Sequence, residues 1–248
     1  MLERCTNVCQ AGVVGPQTRP RRTDPLSREG IVGTAVELLD AGGEAGLTTR
    51  ALTERLATGP GAIYHRVGTK DELLAAATDS VVAAALAVAP SDDPREAVHA
   101  LALGLFDATD AHPWLSTQLA IQISRSPGGP TTARLFEGLG RQVRALGLPE
   151  RAWFTATSAV MHYVLGAAGL NAVAAAHGRA LGPDVGRGRF LDDAATAWED
   201  LDPEDFSFTR AVAGRLRDHD DREEFLAGLD LLLAGISAVH LPGHSAPA

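Results

Sequence analysis

Cysteine is almost absent from this chain. Its 248 residues include two, Cys5 and Cys9, both near the start, so no disulfide framework can hold the fold together. Aromatic residues make up only 5%. Val and Ile rarely alternate with polar residues, which argues against sheet. No apolar run approaches the roughly 18 residues of a membrane helix. The first fifteen residues lack a basic leader followed by an apolar stretch, so no secretory signal is expected. There is no Walker loop, dinucleotide fingerprint, nucleophile elbow or His-Glu-x-x-His, and no spaced Cys/His cluster for zinc. "DHDD" at 218–221 reads as a solvated turn between two helices. No enzyme chemistry, metal or cofactor is expected, and the chain reads as a cytoplasmic protein without a membrane partner.

Ala, Leu and Gly are plentiful, and apolar residues make up 45% of the chain, enough for a sizeable helical core. The net charge of −9 is unevenly spread. Residues 1–70 carry nine Lys+Arg against seven Asp+Glu, and residues 71–248 carry thirteen against twenty-four. An acidic body repels DNA, so any contact with a duplex must come from the N-terminal part.

Residues 1–25 show no period and read as a disordered tail. Arg19, Arg21 and Arg22 at its end are either a solvated charge run or an arm that touches phosphates or a minor groove. Ser27 is suited to cap a helix carrying Ile31, Ala35, Leu38 and Leu39 at helical spacing, which Gly42 and Gly43 should stop. Thr48 caps a second helix, with Leu47 and Leu52 at the positions of a hydrophobic staple. Pro60 opens a third, in which Ala62, Ile63 and Val67 can pack inward and Tyr64, His65 and Arg66 project outward or partly outward. Thr69 and Glu72 form a capping box for a fourth, which runs to about Ala89.

Further helices are expected near 95–111, 113–124, 130–146, 150–177, 208–218 and 221–240, with residues 178–206 as a long loop. The helices 150–177 and 221–240 are apolar over more than one narrow stripe. They must be covered on two sides, by the monomer core or by a second copy. Gly166 and Gly169 would let another helix approach.

Two short helices joined by a tight turn and braced by a longer one form a helix-turn-helix. Leu52, Leu56, Ile63 and Val67 can share a small core with the first helix, freeing the outer face to meet phosphates and base edges. "LTTRALTERLATGPGAIYHRVGTKDELL", at the heart of residues 27–75, resembles the DNA-binding domain of the TetR family of transcriptional regulators. The matching features are the Thr-Thr-Arg start of the second helix, the "IY" of the recognition helix and the Lys-Asp-Glu-Leu-Leu start of the fourth. "HPWL" at 112–115 and "FLAGLDLLLAGI" at 225–236 weakly resemble the C-terminal domain of the tetracycline-repressor-like branch.

The resemblance implies an all-α protein. Residues 26–72 would be a three-helix DNA-binding domain and 73–241 a larger ligand-binding and dimerisation domain. It implies a homodimer on a palindromic double-stranded operator, released by a small-molecule effector and acting as a repressor. Carried over to this chain, Arg50 matches a base-reading position and Thr49 a phosphate or base contact. Pro60, Gly61 and Ala62 match the groove-entering turn. Tyr64 and His65 match aromatic positions that meet the backbone, and Lys70 a phosphate contact. The turn departs from the family pattern: Ala57-Thr58 stands where Gly and an aliphatic residue are usual.

Each residue also has a plainer reading. Tyr64 could be a partly buried core tyrosine, His65 merely exposed, and Arg50 a partner of Glu54 at i+4. Candidate pocket residues combine bulk with a polar handle: Phe106, Trp114, Gln118, Gln122, Met161, His162 and Asn171. Core packing or dimer surface is the alternative for each. A helical interaction module that meets protein, or a helical enzyme without a recognisable motif, remains the alternative function.

Overall fold

The computed structural model describes residues 26–180 and 186–240, without the side chains of 177–180 and 239–240. The expected tail, with Cys5, Cys9 and the arginines 19, 21 and 22, lies outside the described residues. Among the described residues there are eleven α-helices and no strand.

The first helix, α1 (Arg28–Gly46), starts where the Ser27 hydroxyl accepts from the Gly30 N–H at 3.0 Å. Gly42 and Gly43 do interrupt it. Gly43 takes a φ of 59°, and one more turn follows the break, to Gly46. Thr48 caps α2 (Thr49–Leu56) by accepting from Ala51 N, and the staple residues Leu47 and Leu52 are both buried. α2 ends at Ala57 in the left-handed conformation, φ 49° and ψ 43°. α3 (Pro60–Val67) buries Ile63 and Val67; Ala62, expected inside, is exposed, because the narrow inward face of an eight-residue helix holds only those two.

The capping box of α4 (Lys70–Ala85) is complete. Thr69 Oγ1 accepts from Glu72 N at 3.2 Å, and a Glu72 oxygen accepts from Thr69 N at 2.7 Å. Gly68 precedes it at φ 80°, where a Cβ would collide with the Glu72 carboxylate at 2.1 Å. α4 ends at Ala85, short of the expected Ala89. There α5 (Pro94–Ala111) crosses so closely that a Cβ on Gly104 would lie 2.1 Å from the Ala85 carbonyl oxygen.

The body continues with α6 (Leu115–Arg125), α7 (Pro130–Ala145) and α8 (Glu150–Ala180). α8 is central. Ala152, Ala156, Val160, Val164, Ala168 and Ala172 form a buried stripe at i+4 spacing, and the helix packs on α5, α6, α7 and the last helix, α11 (Asp221–His240). Its Glu150–Ala176 stretch reaches a mean hydropathy of 1.4 and is long and apolar enough to cross a membrane by length and composition. No unbroken apolar run marks the stretch in the sequence, because uncharged Thr, Ser and His interrupt it without introducing charge. In this fold one stripe of the stretch is buried in the core, while Phe154, Leu170 and Val173 are exposed.

Part of the expected 178–206 loop is helical. α9 (Arg187–Glu199) lies within it, and α10 (Ser207–Val212) continues as a 3-10 turn, Ala213–Leu216, where one helix over 208–218 was expected. These pieces pack mainly on one another around Ala195 and Ala213. Arg217 clasps Glu199 through two bonds of 2.6 and 3.0 Å, which lowers the Glu199 carboxyl pKa and raises that of the guanidinium.

Candidate nucleic-acid interface and ligand pocket

α2 and α3 each have only eight residues, too short to be stable alone in water. Leu52, Leu56, Ile63 and Val67 close a small core with Ile31, Val32, Ala35 and Leu39 of α1 and Leu73 of α4. That core fixes which side chains face outward. Thr49, Arg50, Pro60, Gly61, Ala62, His65, Arg66 and Lys70 are all exposed. A Cβ on Gly61 would meet nothing within 4 Å, so the turn is open to an approaching backbone.

Tyr64 projects only partly outward. It is half-buried against the core, and its phenol oxygen lies 2.8 Å from Thr49 Oγ1. The plainer reading of Tyr64 therefore describes its ring, while its hydroxyl remains at the surface between the two helices. Arg50 donates from Nε to Glu54 at 2.7 Å, the anticipated i+4 pair. Both are largely exposed, so water screens the pair and Arg50 stays available to a stronger anionic partner. Lys70 Nζ stands 3.5 Å from the Glu44 carbonyl oxygen, at the start of α4.

The seven candidate pocket residues do not converge on one cavity. His162, exposed on α8, lines a cavity of about 350 Å³ between α5, α6 and α8. Its other walls include Leu119, Ile123 and Leu165, with Thr109, Ser116 and Ser124 as polar groups. Phe106 and Asn171 line two clefts of about 320 and 330 Å³ between α5, α8 and the start of α11. There Phe225 packs 4.7 Å from Phe106 and 5.8 Å from Tyr163, whose hydroxyl donates to the Phe225 carbonyl at 2.7 Å. Burial, then Glu224 nearby, raises the Tyr163 pKa. Met161 is buried in the core. Gln122 has its amide nitrogen buried without a partner among the described residues.

Trp114 and Gln118 lead elsewhere. The Trp114 indole N–H donates to Asp40 of α1 at 2.7 Å, and the Gln118 amide donates to Glu44 at 3.0 Å. His112 Nδ1 meets the same Asp40 oxygen at 2.7 Å. Neither Asp40 nor Glu44 was singled out in the sequence. Their spacing of four on α1 was legible, but their partners lie some seventy residues away.

A helix-turn-helix head braced by α1 and α4, joined to a larger all-helical body with clefts between its helices, defines the class of the helical transcriptional regulators. Two family models match: "Bacterial regulatory proteins, tetR family" over residues 31–77 and "Tetracyclin repressor-like, C-terminal domain" over 88–240. The chain belongs to the TetR family of transcriptional regulators.

It is 61% identical to the transcriptional regulator SCO7222, a TetR from Streptomyces coelicolor, covering 88% of this chain and all of that one with a TM-score of 0.79. It is 26% identical to the TetR family protein ActR of Streptomyces coelicolor, in a crystal structure with actinorhodin. That match covers 89% of this chain and 99% of the other, with a TM-score of 0.71. An HTH-type transcriptional regulator of Saccharopolyspora erythraea is 30% identical over 159 residues, spanning 64% of this chain and 66% of the relative.

Proposed function

We propose that this chain is an effector-responsive repressor that binds a palindromic double-stranded operator as a homodimer, in the cytoplasm and without enzymatic turnover. The head, residues 26–72, would place α3 in the major groove. Thr49, Arg50, Pro60, Gly61, Ala62, His65 and Lys70 form the contacting face, and Tyr64 holds that face together from within. The observation that carries this reading is the arrangement of Thr49, Arg50, His65 and Lys70 on one exposed side of a core that holds α2 against α3. Arg50 suits a base edge, and Lys70 suits a phosphate.

The body, residues 73–241, supplies the second copy's docking face and the effector site. Leu170 on α8 and Leu231 on α11 are 75% and 77% exposed, with Phe154 and Val173 also exposed on α8. A row of large exposed apolar residues on two neighbouring helices supports a self-complementary helical interface. An inserted recognition helix from each copy then reads half-sites about one helical turn apart. The cavity between α5, α6 and α8 suits a mostly apolar effector that uses a few hydroxyls and His162. ActR, with a similar fold, is described in complex with actinorhodin. Effector release of DNA requires that the ligand bind the two head positions with different affinity.

The test is selection from a random pool of duplexes by the purified protein. Enrichment of a palindrome is expected, and recovery of unenriched duplex at every salt concentration would overturn the proposal.

A further inference from the structure

The geometry points to Asp40 as the positioning residue that sets where the DNA-reading head stands on the body. Trp114 and His112 act as its two donors, and Glu44 with Gln118 forms a second tie. This inference rests on the operator-binding reading and deepens it.

Trp114 and Gln118 are only 8% and 3% exposed. A buried indole N–H or amide must find a partner. In both cases the partner comes from α1, which belongs to the head, and not from the body around them. One Asp40 oxygen serves both the Trp114 indole and the His112 ring, each at 2.7 Å, and the two rings pack edge to face with centroids 5.9 Å apart. Four residues on, past the break at Gly42–Gly43, Glu44 takes the Gln118 amide through its side chain and Lys70 through its carbonyl.

These bonds differ in kind from the rest of the joint. α1 packs on α4, and its Ile31, Val32, Ala35 and Leu39 are buried in the shared apolar core. Apolar contact is non-directional and tolerates a small rotation. A hydrogen bond weakens steeply with angle, so two buried donors are satisfied together at one orientation of the head. His112 caps the end of α5, Trp114 is the N-cap residue of α6, and Gln118 stands on its first turn. Further along, α6 lines the 350 Å³ cavity with Leu119, Ala120, Ile123 and Ser124. The helix that borders the cavity thus holds the head in place.

In a dimer the head orientation sets the distance between two recognition helices, so the ties predict a fixed half-site spacing. The experiment uses the full chain and the palindromic duplex it selects, together with duplexes carrying one base pair more or less at the centre. Wild type should discriminate against the altered spacings by about tenfold. Asp40→Ala should bind all three alike within about threefold while keeping its salt dependence, and Trp114→Phe should behave the same way. The double variant should be no worse than either alone, because both remove one tie. Glu37→Ala, which breaks an exposed pair with Arg55 within the head, should leave the discrimination intact.

A merely structural role would lower the melting temperature without levelling the three affinities. If Asp40→Ala does not fold, Trp114→Phe decides. Discrimination retained in a folded variant overturns this inference and leaves operator binding standing, as does a wild type that binds DNA without regard to spacing. A wild type that selects no duplex removes both.

Discussion

The phenol of Tyr64 and the hydroxyl of Thr49 meet at 2.8 Å and fasten the recognition helix to the start of the helix before it. The pair crosses the part of the head that would meet DNA. Tyr64→Phe keeps the packed ring and removes the bond, which should cost about 0.5–1.5 kcal/mol of stability and weaken operator binding several-fold. Thr49→Val should match it, and the double variant should add little. Denaturant midpoints and operator titrations check this; equal stability in all four proteins would leave the bond without a role.

Arg50 has two competing partners. In the free protein it holds Glu54, and on DNA it would turn to a base edge. Arg50→Ala should lose about 1–3 kcal/mol of operator affinity and relax preference at one base position. Glu54→Ala should change stability by less than about 0.5 kcal/mol, as for an exposed pair, and tighten DNA binding. Competition titrations with single-base operator variants decide; unchanged discrimination in Arg50→Ala removes its assignment.

Lys70 begins α4 beside the Glu44 carbonyl. Lys70→Ala should weaken binding to all duplexes similarly and reduce the slope of log affinity against log salt by about one. A slope equal to that of wild type would contradict a phosphate contact.

Ala57 stands at φ 49°, the only non-glycine residue with positive φ among those described. An L side chain there costs about 1–2 kcal/mol, and glycine returns part of that gain through unfolded-state entropy. Ala57→Gly should therefore stabilise the head by about 0.5–1 kcal/mol, seen as a higher urea midpoint at constant slope. A lower midpoint would show that the turn relies on the alanine methyl.

The Glu72 carboxylate accepts from the Thr69 backbone N–H, which holds its pKa below the usual value. A lowered folded-state value means that this stabilisation is present above the ordinary glutamate range and is lost as pH falls through the lowered value. Glu72→Gln should flatten that part of the acid limb of the stability curve. An identical acid limb in both proteins would mean that the box contributes nothing through charge.

The head was largely legible because its signals are local. Caps at Ser27, Thr48 and Thr69, the Leu47–Leu52 staple and the Arg50–Glu54 pair all act within four or five residues. The Tyr64 bond was not legible because its partner Thr49 lies fifteen residues away. Trp114 and Gln118 show the same limit. A large side chain with one polar handle looks alike in sequence whether it lines a cavity or reaches across a domain boundary. α9 was hidden because it buries only Ala195 and is preceded by a glycine-rich segment, so no apolar stripe marks it. The family resemblance supplied what local signals could not, a second domain and a reason for two exposed helical faces.

The central claim is that two copies of the α2–α3 face read one duplex. The direct measurement is the stoichiometry and salt dependence of the complex with the selected palindrome, by sedimentation and anisotropy titration. The account predicts two protomers per duplex, affinity falling linearly on log–log axes with salt, and at least about a thousandfold preference over scrambled sequence. Binding with equal affinity to palindromic and scrambled duplex would contradict it.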